Sequence, residues 1–213
     1  MEIIRANARD RDIFTEDELA FGGCCFCTED RVHRFFFEIN GREAVLHSGA
    51  AFVDAAIDEF LFYSGFITTI RDGNGNVLRE RKLSEPYLCG IMKIRPSQFY
   101  ISEDKLAACK KWIKSREDVY IPVLIRNGET IAQDGHTRLR AALDSGFEAV
   151  YVYEEEYDPA IMHFVDEAGK RGIKSVADME ILSEEEYKLK WHKYCKDYFA
   201  GLEQREIAPE SLS

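Results

Sequence analysis

No stretch of the chain approaches the ~18 consecutive apolar residues that carry a helix across a bilayer. A helical membrane span is therefore excluded. The opening residues, MEIIRANARDRD, hold no basic start followed by an apolar run, so no secretory signal is expected. The expected location is the cytoplasm, where the six Cys are reduced thiols. Positive charge is in deficit: 28 Lys and Arg stand against 39 Asp and Glu, a net of −11. That balance argues against bulk nucleic-acid binding, which needs a cationic surface. No Gly-rich loop ending in Lys-Ser or Lys-Thr is present, so a P-loop is excluded. No internal repeat and no low-complexity tract is expected.

Metal-binding patterns are also thin. Cys24 and Cys27 form one C-x-x-C, beside Cys25. A structural zinc site needs two such pairs, or a Cys pair with a His pair. Only His33 and the distant Cys89 remain to complete it, so plain thiols are the expectation. The run Asp72-Gly73-Asn74-Gly75-Asn76 has calcium-loop residue types, but Val77 and Leu83 stand where such a loop needs Gly and Glu. It reads as a hairpin turn.

What is present is an ordinary globular composition, 46% hydrophobic and 31% charged over 213 residues. The patterning divides it into three. Residues 1–89 read as an α+β module whose role the sequence does not give. Residues 34–39 and 43–47 form a hairpin turned by Asn40-Gly41, a helix covers 50–62, and strands cover 65–71 and 77–82. Residues 90–153 hold a strand at 91–94 ended by Pro96 and a helix to about 115 capped by Ser102. Strands at 120–125 and 129–133 follow, turned by Asn127-Gly128. A helix over 137–145, stopped by Gly146, and a strand over 148–153 complete that segment. Residues 154–213 form a helical extension, with a helix over 160–169 and another opened by Ser183 and Glu186 as a capping box. Its apolar stripe, Tyr187, Trp191, Tyr194, Cys195 and Tyr198, is expected to pack on the core. The overall fold class is α+β.

Charge is unevenly spread. Residues 90–153 carry 10 basic and 8 acidic side chains, between two acidic flanks. That suits one local anion site, and the informative residues lie there. Gln133-Asp134-Gly135-His136-Thr137-Arg138 falls where a strand passes into a helix. Such a junction offers unpaired backbone N–H groups and a positive dipole end, which attract phosphate. Gly135 permits close approach of the backbone. Arg138 can fork onto phosphate, and Thr137 can donate a hydroxyl. His136 can donate to an oxyanion or shuttle a proton near neutral pH. Asp134 can hold Mg²⁺ or act as a base. The same residues also serve a plain helix entry, with Asp134 as cap and Gly135 as turn.

The stretches IRPSQFYISEDKLAACKKW and IPVLIRNGETIAQDGHTRLRAALDSGFEAVYVY resemble the ParB/sulfiredoxin-like superfamily over about residues 91–153. ParB partition proteins read Gly-Glu-Arg-Arg at this junction, sulfiredoxin Gly-Cys-His-Arg, and the free serine kinases of the superfamily Asp-Gly-His-His-Arg. This chain is most similar to the last, with Thr137 in place of the second His. His136 stands where sulfiredoxin has its Cys, so repair of sulfinic acids is not implied. The resemblance implies a ParB/sulfiredoxin-like core and a site for ATP or a related nucleotide with Mg²⁺. It also implies a phosphoryl-transfer or NTP-hydrolysing enzyme with a small-molecule or protein acceptor. Asp134 would bind metal or act as base, and Gly135, His136, Thr137 and Arg138 would hold phosphate. Glu103 would correspond to the base early in the kinase domain, although it also suits a first-turn acid. Ser97 and Gln98 in the same loop rank lower as ligand contacts. The alternative implied is a ParB-like nucleotide switch or DNA-associated adaptor. The acidic tail, without a basic recognition helix, weighs against it.

Overall fold

The computed structural model describes residues 2–6, 10–20, 24–49, 51–156 and 159–207. The sequence predicts fraying over Ile207 to Ser213; Ile207 is the last residue of a helix, and 208–213 lie outside the described residues.

The first sheet has six strands in sequence order: β1 Ile3–Arg5, β2 Cys25–Thr28, β3 Arg34–Asn40, β4 Glu43–Ser48, β5 Thr69–Asp72 and β6 Val77–Glu80. A short helix, α1 Glu16–Ala20, precedes β2. All neighbours are antiparallel except β4 and β5. That parallel pair needs a crossover, which α2 Val53–Tyr63 provides. The helix buries Ala56, Ile57 and Phe60 on the sheet. Phe60 stacks on Phe37 at 4.0 Å, and Phe26 meets both rings edge-on. The expected hairpin is present, with its turn one residue later than Asn40-Gly41. Asn40 pairs with Glu43, and Gly41 takes the positive φ of 61°. The 72–76 segment is a turn, as expected: Asp72 Oδ1 accepts from the N–H groups of Asn74 and Asn76 at 2.9 Å. Cys24, Cys25 and Cys27 are buried free thiols, and burial pushes the first two up to about 12. Among the described residues no group of three His, Cys, Asp or Glu side chains is placed to hold a metal.

The second sheet has five strands in the order β7-β12-β10-β11-β8. They are β7 Tyr87–Gly90, β8 Ile94–Arg95, β10 Tyr120–Arg126, β11 Glu129–Ala132 and β12 Ala149–Glu154. Asn127 and Gly128 turn β10 into β11 with both φ angles positive, 52° and 79°. The expected strand over 91–94 is corrected. Residues Ile91–Lys93 form a 3-10 turn, and only Ile94–Arg95 is extended. Ile91 and Ile94 are both fully buried while Met92 is 57% exposed. That is a spacing of three, not the alternation of a strand. With β7 in this sheet, the two sheets are joined by residues 81–86, not at 89.

Helices α3 Glu103–Trp112, α4 His136–Asp144 and α5 Ile161–Lys170 follow strands or turns of this half. A two-stranded parallel pair, β9 Tyr100–Ser102 with β13 Glu180–Leu182, ties the extension back to it. Ser183 caps the last helical stretch by accepting from the Glu186 N–H. That stretch runs as α6 Glu184–Tyr187, a π turn over Lys188–His192, and α7 Lys193–Ile207. Trp191, Tyr194, Cys195 and Tyr198 pack on the second core, as the stripe predicts.

One short repeat does exist. Ile-Lys-Ser-x-x-Asp occurs at 113–118 and again at 173–178. In both copies Asp Oδ2 accepts from the Lys and Ser N–H groups, closing a 3-10 turn between a helix and a strand.

Candidate functional site

The Asp134–Arg138 junction leaves β11 and enters α4, as its sequence predicts. Gly135 is the N-cap, at φ +78°. A Cβ there would lie 2.9 Å from both Arg138 Nη2 and Ile121 Cδ1. Glycine is thus required twice, for the left-handed backbone and for the space. The next three backbone N–H groups, those of His136, Thr137 and Arg138, begin the helix without intrahelical acceptors.

His136 is 3% exposed. Its Nε2 accepts from the Ser97 N–H at 3.0 Å. Ser97 is itself fixed by its hydroxyl, which donates to the Ala132 carbonyl at 2.8 Å. Burial, with the Arg138 charge adding to it, drives the imidazole down to about 4 despite the opposing pull of Asp134. The ring is therefore neutral at pH 7. With Nε2 accepting, the proton sits on Nδ1, and Nδ1 is buried without a partner. A buried imidazole beside a guanidinium resists the second proton, which weighs against a proton-shuttle role near neutral pH. Its remaining capacity is donation from Nδ1–H.

Arg138 is nearly buried, with 12% of its side chain exposed. Nη2 donates to Asp134 Oδ2 at 3.2 Å. The guanidinium carbon lies 5.0 Å over the Phe66 ring from the first sheet. Nη1 is buried without a partner. Asp134 is largely exposed, 75% by side chain. Desolvation pulls its carboxyl upward, but the Arg138 charge and the Gly135 N–H outweigh it and hold it below the usual range. Thr137 is half-buried in the first turn.

Glu103 is exposed in the first turn of α3, where an acid complements the helix dipole. The α3 side chain whose charge acts on Asp134 is Lys105. Its Nζ lies 5.2 Å over the Tyr187 ring. Gln98 donates to the Tyr187 hydroxyl at 2.8 Å and does not point at the junction residues through any hydrogen bond described. Lys105, Phe66 and Tyr187 carry no motif. Each reaches the site only because a distant element packs there.

No protein-family model matches the chain, and no curated protein matches it. Among solved structures, protein Atu1540 from Agrobacterium tumefaciens is similar over 46% of this chain, at 19% identity and a TM-score of 0.33. The match takes in 63% of that protein's own length, less than two thirds of it.

Proposed function

We propose that the chain binds a nucleotide, with its phosphate held at the Asp134–Arg138 junction for phosphoryl transfer or hydrolysis. The observation that carries this reading is a pair of orphaned donors. His136 Nδ1 and Arg138 Nη1 are buried, lack acceptors, and lie two residues apart in the first turn of α4. A phosphate oxygen satisfies such groups, and the helix dipole adds to the attraction. The resemblance to the ParB/sulfiredoxin-like superfamily points to the same residues. In this reading Gly135 lets the phosphate approach the backbone, Thr137 adds a hydroxyl, and neutral His136 donates without titrating. Asp134, the exposed carboxylate of the junction, suits Mg²⁺, which is bound through one or two carboxylates and substrate phosphates. When bound, the ion supplies charge neutralisation at the phosphate. Phosphoryl transfer depends mainly on such positioning and charge stabilisation.

A thermal-shift panel of ATP, ADP and CTP with Mg²⁺ tests this. At a hundred times Kd a bound nucleotide adds about 2.7 kcal/mol, which raises the midpoint of a chain this size by about 5–10 °C. The shift is expected in wild type and lost in Arg138→Ala and in His136→Ala. A flat response of wild type to every nucleotide sinks the proposal.

A further inference from the structure

Among the described residues three side-chain atoms are buried without a hydrogen-bond partner: His136 Nδ1, Arg138 Nη1 and Arg42 Nη2. The third comes from the other half of the molecule. Arg42 sits in the β3–β4 turn of the first sheet, between Gly41 and Glu43. Its Nε donates to the Phe66 carbonyl at 3.3 Å and its Nη1 to the Ser84 carbonyl at 3.4 Å. Two of its three nitrogens thus hold the fork in place, and the third is left over.

The two arginines both touch Phe66. Arg138 lies over the Phe66 ring, and Arg42 holds the backbone of the same residue. Arg42 lies 5.5 Å from the Tyr153 ring and 5.8 Å from the Tyr120 ring of the second sheet. Phe66 stacks on Tyr120 at 5.9 Å, joining the two halves with apolar surface. The charges of Arg42 and Arg138 both reach the Tyr153 side chain from opposite halves. Arg138 has a carboxylate partner in Asp134. Arg42 has only carbonyls.

A guanidinium held by neutral carbonyls, with one N–H spare and low-dielectric walls around it, favours an anion. We infer that Arg42 and Arg138 together bind two adjacent anionic groups of one ligand, so that the junction selects a nucleoside di- or triphosphate over a monophosphate. Arg138 and α4 take one phosphate, and Arg42 takes the next. The first sheet then has a defined part in the site: it delivers the second cation and the Phe66 wall. Asp134, exposed and paired to Arg138, is the group that yields as the ligand enters. This inference rests on the junction being a phosphate site, and the two are separable.

Calorimetric titration of wild type with the mono-, di- and triphosphate of one nucleoside is the test. The diphosphate is expected to bind roughly ten- to a hundredfold tighter than the monophosphate, the effect of one charge-assisted contact. In Arg42→Ala the ratio collapses toward one. In Arg42→Lys, which keeps the charge but not the fork, part of the ratio returns. Equal affinities for mono- and diphosphate in wild type overturn the inference while leaving the junction reading standing. So does a ratio that survives Arg42→Ala. If none of the three binds wild type, the junction reading fails and this inference with it. The wild-type series decides even if the alanine variant does not fold.

Discussion

Gly135→Ala is expected to destabilise the chain by about 2–5 kcal/mol. The left-handed backbone, at φ +78°, costs an L-residue about 1–2 kcal/mol. The new Cβ would also press on Ile121 Cδ1 and Arg138 Nη2, both at 2.9 Å, and overpacking of this kind costs about 1–3 kcal/mol. The two parts separate cleanly. Gly146 has a similar φ of +83° with nothing within 4 Å of its Cβ position, so Gly146→Ala should show the backbone part alone. Ile121→Val removes one of the two obstacles and should return part of the loss in the double variant. Chemical denaturation of the four proteins reads all of this. Equal losses for Gly135→Ala and Gly146→Ala would mean that the close approach at the junction carries no energy.

The second large effect is a loss of stability in mild acid. His136 unfolded takes up its proton near 6.5; folded, it holds out to about 4. Between those values the unfolded state binds more protons, so stability rises with pH through that window. Acidification from pH 7 to pH 4.5 should therefore cost about 2–3 kcal/mol from this residue. The decline flattens below about 4, where both states are protonated. The depressed Asp134 carboxyl extends the loss to lower pH, because a depressed acid stabilises only while ionised. Urea melts at the two pH values, on wild type and His136→Gln, measure the effect. The glutamine oxygen can still accept from the Ser97 N–H but does not titrate, so the slope should shrink. An unchanged slope would show that some other group governs the acid response.

Local chemistry made much of the second half legible. Ser102, Asn127-Gly128, Gly135 and Gly146 each impose a backbone conformation that few alternatives satisfy, and helices and turns appear where they stand. The α+β class follows from these elements. Edge strands were less readable. In β7, Tyr87 and Leu88 are 40% and 48% exposed, so no alternation of buried and exposed residues marks it. β13 has three residues and pairs only through β9, a contact with no local signature. The π turn at Lys188–His192 is likewise silent in sequence.

The candidate site divides the same way. Asp134, Gly135, His136 and Arg138 were readable because a strand-to-helix junction constrains residue types over a few positions. The orphaned state of His136 Nδ1 was not, because it depends on Ser97, 39 residues away. Arg42 was invisible for the same reason: its meaning comes from Phe66, Ser84 and the rings of the second sheet. Glu103 shows the converse. Its position in sequence suggested chemistry, and its exposed place at a helix start supplies an ordinary electrostatic reason for an acid.

The β9–β13 pairing sets an order of assembly during synthesis. The first sheet is complete once Glu80 has emerged. The second core is not, because Ile101 waits for Ile181, about 80 residues downstream. At ribosomal speeds that is a delay of roughly 4–16 s. Arg140 waits as well, since it is tied to the carbonyls of Val176 and Met179. For those seconds the nascent chain carries one sheet with all its strands and a second core whose apolar face is still bare, and that interval is when chaperones and self-association compete for it.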